Sequence, residues 1–118
     1  MSLQLGEVVL IRMYYHQTAG GKVRPAIVLL DSQDDDFVAA PVTSQPRDSE
    51  FDLFIRDWRA AGLNVPSSIR LHKLTVLAKI EIVRRLGGLS DPDRAALAQL
   101  LCRAFCPGSL RHDQPAGD

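Results

Sequence analysis

The sequence predicts a mainly β fold: a small barrel or sandwich of five to six short strands, with a short helical insertion and one C-terminal helix. Three observations predict it. Short apolar runs rich in β-branched residues recur along the chain. Clusters of Gly, Pro and Asp punctuate them at short intervals. Near the C-terminus the apolar spacing changes to a helical period.

The run from Gly6 to Tyr14 (GEVVLIRMY) is the first strand. The polar stretch His16 to Lys22 carries two glycines and reads as a loop. Val23 to Leu30 is the second strand. Pro25 has no N–H to give a ladder and is expected at its start. The Asp-rich stretch Asp31 to Asp36 is a turn. Phe37 to Ser44 is the third strand, with Pro41 marking an edge or a bulge. Phe51 to Ile55 is the fourth. Residues 56–62 (RDWRAAG) read as one or two helical turns ending at Gly62, with Trp58 as their packing anchor. Ser68 to Lys79 reads as a strand with a slip in register, and Glu81 to Leu89 as a last short strand.

Ser90 is a good helix N-cap, with Asp93 three residues on and Pro92 tolerated in the first turn. Ala96, Leu97, Leu100, Leu101, Ala104 and Phe105 form one apolar stripe, ended by Pro107 and Gly108. Residues 1–106 are therefore expected to form one domain, and 107–118 a polar tail without order.

The 118 residues suffice for one domain. Lys plus Arg number 14 and Asp plus Glu number 14, so the formal charge is zero. Such a balance argues against a general nucleic-acid coat, which needs many phosphate contacts. It leaves room for a small basic cleft. Asp31, Asp34, Asp35 and Asp36 form one group, and Arg70, Lys73, Lys79, Arg84 and Arg85 another. They read either as two solvated surfaces or as an acidic rim opposite a basic groove. No apolar run approaches the ~20 residues of a membrane span, and no signal peptide is evident. A cytoplasmic protein is the expectation. Cys102 and Cys106 are too few for a disulfide framework and read as small buried apolar residues.

The residues alone supply no strong catalytic motif. The Gly-Gly-Lys at Gly20 to Lys22 lacks the spacing of a phosphate loop. No paired-cysteine zinc motif and no Gly-x-Ser-x-Gly elbow occurs. His16, His72 and His112 are scattered.

An ordered set of segments goes further. GEVVLIRM, then KVRPAIVLL after a Gly-rich loop, then FVAAPVTSQ, then PSSIRLHKLTVLAKIEIVRRLGGLS together resemble the PemK/MazF-type toxins of type II toxin–antitoxin systems. The resemblance spans about Gly6 to Phe105. It implies a small SH3-like barrel and a sequence-selective, metal-independent endoribonuclease acting on single-stranded RNA or mRNA, with no cofactor. It also implies a homodimer and a cognate antitoxin partner, and makes the first strands and the C-terminal helix candidate dimer faces. By the family pattern the catalytic pair is Arg24 of the Arg-Pro step and Thr43 of the Thr-Ser step. Gln17, Lys22, Ser44, Gln45 and Lys73 are the expected RNA contacts. Tyr14 and Tyr15 read as base-stacking or core residues, and His72 as a surface residue or a general base. Two other functions share the fold class: a gyrase-binding toxin of the CcdB type, and a non-catalytic binding module.

Overall fold

In the computed structural model, residues 1–13 and 21–108 are described. Seven strands and one helix make up the fold: β1 Glu7–Met13, β2 Lys22–Leu30, β3 Asp36–Thr43, β4 Asp52–Phe54, β5 Ser68–Arg70, β6 Thr75–Ala78, β7 Ile82–Gly88 and α1 Asp91–Phe105. The strands run in the order β4-β5-β3-β2-β1-β7, with β6 on the same edge of β3 as β5. Every pairing is antiparallel. The sheet is curled but not closed, since no ladder joins β7 to β4 or β6 among the described residues. The mainly β fold with one C-terminal helix expected from the sequence is what is observed, with the barrel left open.

The apolar runs of β1, β2 and β3 are explained by burial on both faces. Successive side chains of a strand point to opposite sides. Val8, Ile27, Ala40 and Val42 enter one core with Leu97 and Leu100 of α1. Their chain neighbours Val9, Ala26, Val28 and Ala39 enter a second, with Ile11 and Phe37. The cross-strand pairs Val8↔Ile27 and Val9↔Ala26 show the alternation directly. Each large side chain fully buried in this way contributes roughly 1.5–3 kcal/mol.

Each proline is paired on one edge only, Pro25 with Leu10 and Pro41 with Ala26, and sits where the ladder on its other edge is absent. Pro25 lies within β2 rather than at its start, but the β2–β3 ladder begins only at Ala26. On that edge its missing N–H costs no bond. Pro41 falls between two ladders: β6 pairs with residues 36–39 of β3, and β5 with Val42 and Thr43. The expected slip in register within Ser68 to Lys79 is a 3₁₀ turn, Leu71–Lys73, that carries the chain from β5 to β6 past this gap.

Residues 56–62 form consecutive turns rather than a helix. Gly62 ends them in a left-handed conformation at φ 90°. A Cβ there would strike the Leu86 carbonyl, and one on Gly87 would come within 2.7 Å of the Ala61 carbonyl oxygen. Backbone therefore lies directly on backbone, and the segment is seated against β7. Trp58 packs on the first core, with Arg59 4.3 Å above its ring.

Asp93 ties the same segment to α1. Ser90 caps the helix by accepting the Asp93 N–H at 3.3 Å. The buried Asp93 carboxylate accepts the backbone N–H groups of Arg56 and Asp57 at 3.1 and 2.9 Å. Further along α1, Leu97 and Leu100 are buried as expected, but Phe105 is 59% exposed because the helix passes the end of the core there. Cys102 and Cys106 are half-buried, not buried, with their sulfurs 3.3 Å apart.

The charged groups also differ from a simple division into rim and groove. Lys79 pairs with Asp31 at 2.8 Å and Arg85 with Glu7 at 2.9 Å. Asp31 further accepts the N–H groups of Leu3 and Gln33. The hydrogen bond from Lys79, then those amides, lower its carboxyl from 3.8 to about 2.

Two outcomes follow for stability. Asp93→Ala leaves two backbone donors unsatisfied and weakens the cap, costing about 2–3 kcal/mol by urea unfolding. For Asp31 the folded value lies below the unfolded one, so its contribution is present above about pH 4 and lost as pH falls through about 2. Asp31→Asn lacks that component, and its unfolding midpoint therefore falls less steeply over that interval than that of the wild type.

Candidate functional site

Two adjoining clefts open where β3 ends. The first, about 360 Å³, has a floor of Leu10, Pro25, Val42 and Leu86 from β1, β2, β3 and β7. Leu10 pairs with Pro25 on one side and with Arg84 on the other, which fixes this floor across three strands. Its far wall is the seated segment, through Gly62, Leu63, Asn64, Val65 and Ser67. The second cleft, about 460 Å³, is bounded by Arg47, Arg70, Lys73 and Thr75. Arg24, Val42, Thr43 and Gln45 line both, so the two form one continuous groove.

The groove is cationic. Arg24, Arg47, Arg70, Lys73 and Arg84 line it, and among the described residues no Asp or Glu does. Asp52 holds Arg70 in place from behind, accepting its Nε at 3.0 Å. Burial alone would raise the Asp52 carboxyl. Hydrogen bonds from Ser49 and Arg70 outweigh it and keep the group below the usual carboxylate value. Arg47 donates to the Gln45 side chain at 3.0 Å. Arg24, Lys73 and Arg84 make no ion pair among the described residues.

Thr43 ends β3, opposite Ser68 of β5. Its Oγ accepts the Gln45 N–H at 3.1 Å, which turns the chain and leaves the hydroxyl proton to donate elsewhere. Arg24 is exposed on β2. A guanidinium with no ion pair among the described residues, in the same groove as a free hydroxyl proton, offers only donors, a set suited to an anionic oxygen cluster such as a phosphate.

Of the residues singled out from sequence, Arg24, Thr43, Ser44, Gln45 and Lys73 line the groove. Lys22 does not; it is exposed on β2 opposite Met13. Gln17, Tyr14 and Tyr15 lie outside the described residues. His72 lines neither cleft. It is exposed, its ring centroid 6.1 Å from that of Phe51 and its Nε2 3.3 Å from Arg70 Nη2. Sequence reasoning placed Arg70 and Arg84 only in a basic group and gave no role to Arg47, Asn64 or Ser67. Among the described residues no three His, Cys, Asp or Glu side chains gather as metal ligands would.

Known proteins bear on this arrangement. A family model described as "PemK-like, MazF-like toxin of type II toxin-antitoxin system" matches residues 4–105. No curated protein matches the chain. Among solved structures, the Mycobacterium tuberculosis toxin MazF-mt6 superposes with a TM-score of 0.69 at 20% identity, covering 84% of this chain and 95% of that one. An endoribonuclease in complex with its cognate antitoxin from a mycobacterial species gives 0.69 at 16% identity, over 90% and 98%. MazF from Deinococcus radiodurans gives 0.65 at 20% identity, over 86% and 94%. At these identities the likeness speaks for the fold.

Proposed function

The chain belongs to the PemK-like, MazF-like toxin family of type II toxin–antitoxin systems, and from that premise we propose that it is an endoribonuclease that cuts single-stranded RNA in its cationic groove. The observation that carries the proposal is the meeting of Arg24 and Thr43, assigned to catalysis by the family pattern, in a groove lined with cations and, among the described residues, with no carboxylate.

The chemistry asks little of a cofactor. The 2′-hydroxyl of one nucleotide attacks its own 3′-phosphate, and the bond from phosphorus to the 5′-oxygen breaks. The products are a 2′,3′-cyclic phosphate and a 5′-hydroxyl, the proton lost from the 2′-oxygen being balanced by one gained at the 5′-oxygen. Charge builds on the non-bridging oxygens in the transition state. The Arg24 fork donates two parallel hydrogen bonds there, strengthened by the apolar floor beneath. Thr43 donates its hydroxyl proton and holds the phosphate in line. Arg24 is a stabiliser, not a base, because a guanidinium carries only donors and has no lone pair free to accept a proton. Ser44, Gln45 and Lys73 extend the contact to flanking nucleotides.

The partners follow from the same reading. A neighbour in fold is described in complex with its cognate antitoxin. We assign this chain an antitoxin whose extended, acidic segment fills the groove. A homodimer is part of the proposal, but not through the faces expected from sequence: Val8, Val9, Ile11, Leu97 and Leu100 are used by the chain's own cores. The exposed Val76 and Ile80, on and beside the edge strand β6, are better placed. Among the described residues no helix is long and apolar enough to cross a membrane, and an mRNA-cutting toxin acts in the cytoplasm.

Two measurements test this. Purified protein should cut a long single-stranded RNA in EDTA and leave 5′-hydroxyl ends, and Arg24→Ala should lower kcat by about 10²–10³. Failure of folded wild-type protein to cut any of several RNAs, or full activity in the variant, overturns the assignment. Binding of a cleavage-resistant 2′-O-methyl oligonucleotide should weaken with salt, and Lys73→Ala should flatten the log–log slope by about 0.7, one phosphate contact.

A further inference from the structure

The first cleft has features that phosphate binding does not require. Its floor is apolar, through Leu10, Pro25 and Leu86. One wall is a segment outside every strand and helix, and Asn64 on that wall is exposed and makes no hydrogen bond among the described residues. The wall is anchored on both sides by contacts that have nothing to do with a ligand. Gly62 lies against the Leu86 carbonyl, Asp93 holds the amides of Arg56 and Asp57, and the Ile55 N–H donates to the Ser67 carbonyl at 3.0 Å. Ser67 Oγ further donates to the Val65 carbonyl at 2.9 Å.

We propose that this wall reads one nucleobase, with Asn64 as the specificity-determining residue and the Leu10–Pro25–Leu86 floor as the surface on which the base rests. The inference rests on the RNA-cutting reading above and deepens it. A volume of about 360 Å³ holds one nucleotide and not two. A flat, largely apolar base face suits the floor, while the edge of the base carries donors and acceptors that only a polar group discriminates. A side-chain amide presents one donor group and one acceptor side by side and pairs with a base edge that presents the reverse, as an adenine edge does. Arg24 and Arg84 line the same cleft and hold the phosphates on either side of that nucleotide. A wall preorganised by backbone contacts loses little entropy on binding, so discrimination at this position is not diluted by rearrangement.

The test separates base reading from cutting. The wild type, Asn64→Ala and Asn64→Asp are each given an RNA library randomised around a cut site, and product ends are sequenced. The same proteins are also used to select from a cleavage-resistant 2′-O-methyl library, which reports base choice without catalysis. Asn64→Ala should lower the preference at one position by about tenfold and leave the preferences at the other positions in place. Asn64→Asp keeps only acceptors and should move that preference away from adenine, toward an edge that presents donors side by side, as the guanine N1–H and amino group do. Asn64 is exposed and holds no other element, so unfolding curves should match the wild type. An unchanged profile for both variants in both libraries overturns the proposal even if the wild type cuts. A uniform loss across all positions, with no position singled out, overturns it as well. Absence of cutting by the wild type, with selection from the 2′-O-methyl library still altered by Asn64→Ala, would instead overturn the nuclease reading and keep the base-reading wall.

Discussion

Strand β3 is the constraint on which the rest depends. It pairs with β2 along one edge, and along the other it changes partner, from β6 to β5, as it passes Pro41. A residue with no N–H is suited to the one place where no ladder bond is wanted. The partner change forces the intervening chain to turn tightly at Leu71–Lys73 and so delivers Arg70 and Lys73 beside Thr43. On the other edge, the β2–β3 ladder stops at Ala26 and leaves Arg24 beyond it. One strand therefore sets where the groove opens and which side chains reach it.

Charge pairing then sorts the cations. Lys79, Arg85 and Arg94 are matched to carboxylates elsewhere and serve the fold. Arg70 is matched from behind and presented to the groove. Arg24, Lys73 and Arg84 line it with no ion pair among the described residues. A chain of zero formal charge thus carries a concentrated positive site, because its carboxylates are used at other places.

Much of this was legible in the sequence. Strands β1 to β3 stand out because burial on both faces makes them nearly continuous apolar runs, and Ser90 announces α1 by its cap chemistry. Arg24 and Thr43 could be marked by the family pattern, and they share the groove with Ser44, Gln45 and Lys73, which were expected as contacts. The remainder depends on tertiary contacts that local pattern does not encode. Arg84 and Arg85 are neighbours of the same type, yet one lines the groove and the other pairs with Glu7. Successive side chains of a strand face opposite sides, and the pairing of β7 on β1, Arg85 with Val9 and Arg84 with Leu10, decides which of the two meets the groove. Residues 56–62 have helical composition but are pressed against β7 and held by Asp93, which favours turns. Lys22 was expected as an RNA contact; it lies two residues further along β2 than Arg24, opposite Met13, and lines neither cleft.

The placing of the acidic turn at the opposite end of β3 from the groove gives the molecule a permanent dipole. Asp36 begins the strand and Thr43 ends it, a separation of roughly 23 Å at strand rise. That is well beyond the ~8 Å screening length at physiological salt. A polyanion seated in the groove does not feel the aspartates, so they cost it no affinity. One that comes near is attracted at the groove and repelled at the turn, so contact that lasts is made groove-first. The near-neutral chain thereby gains directed encounter without the indiscriminate adhesion to nucleic acid that a high net positive charge would bring.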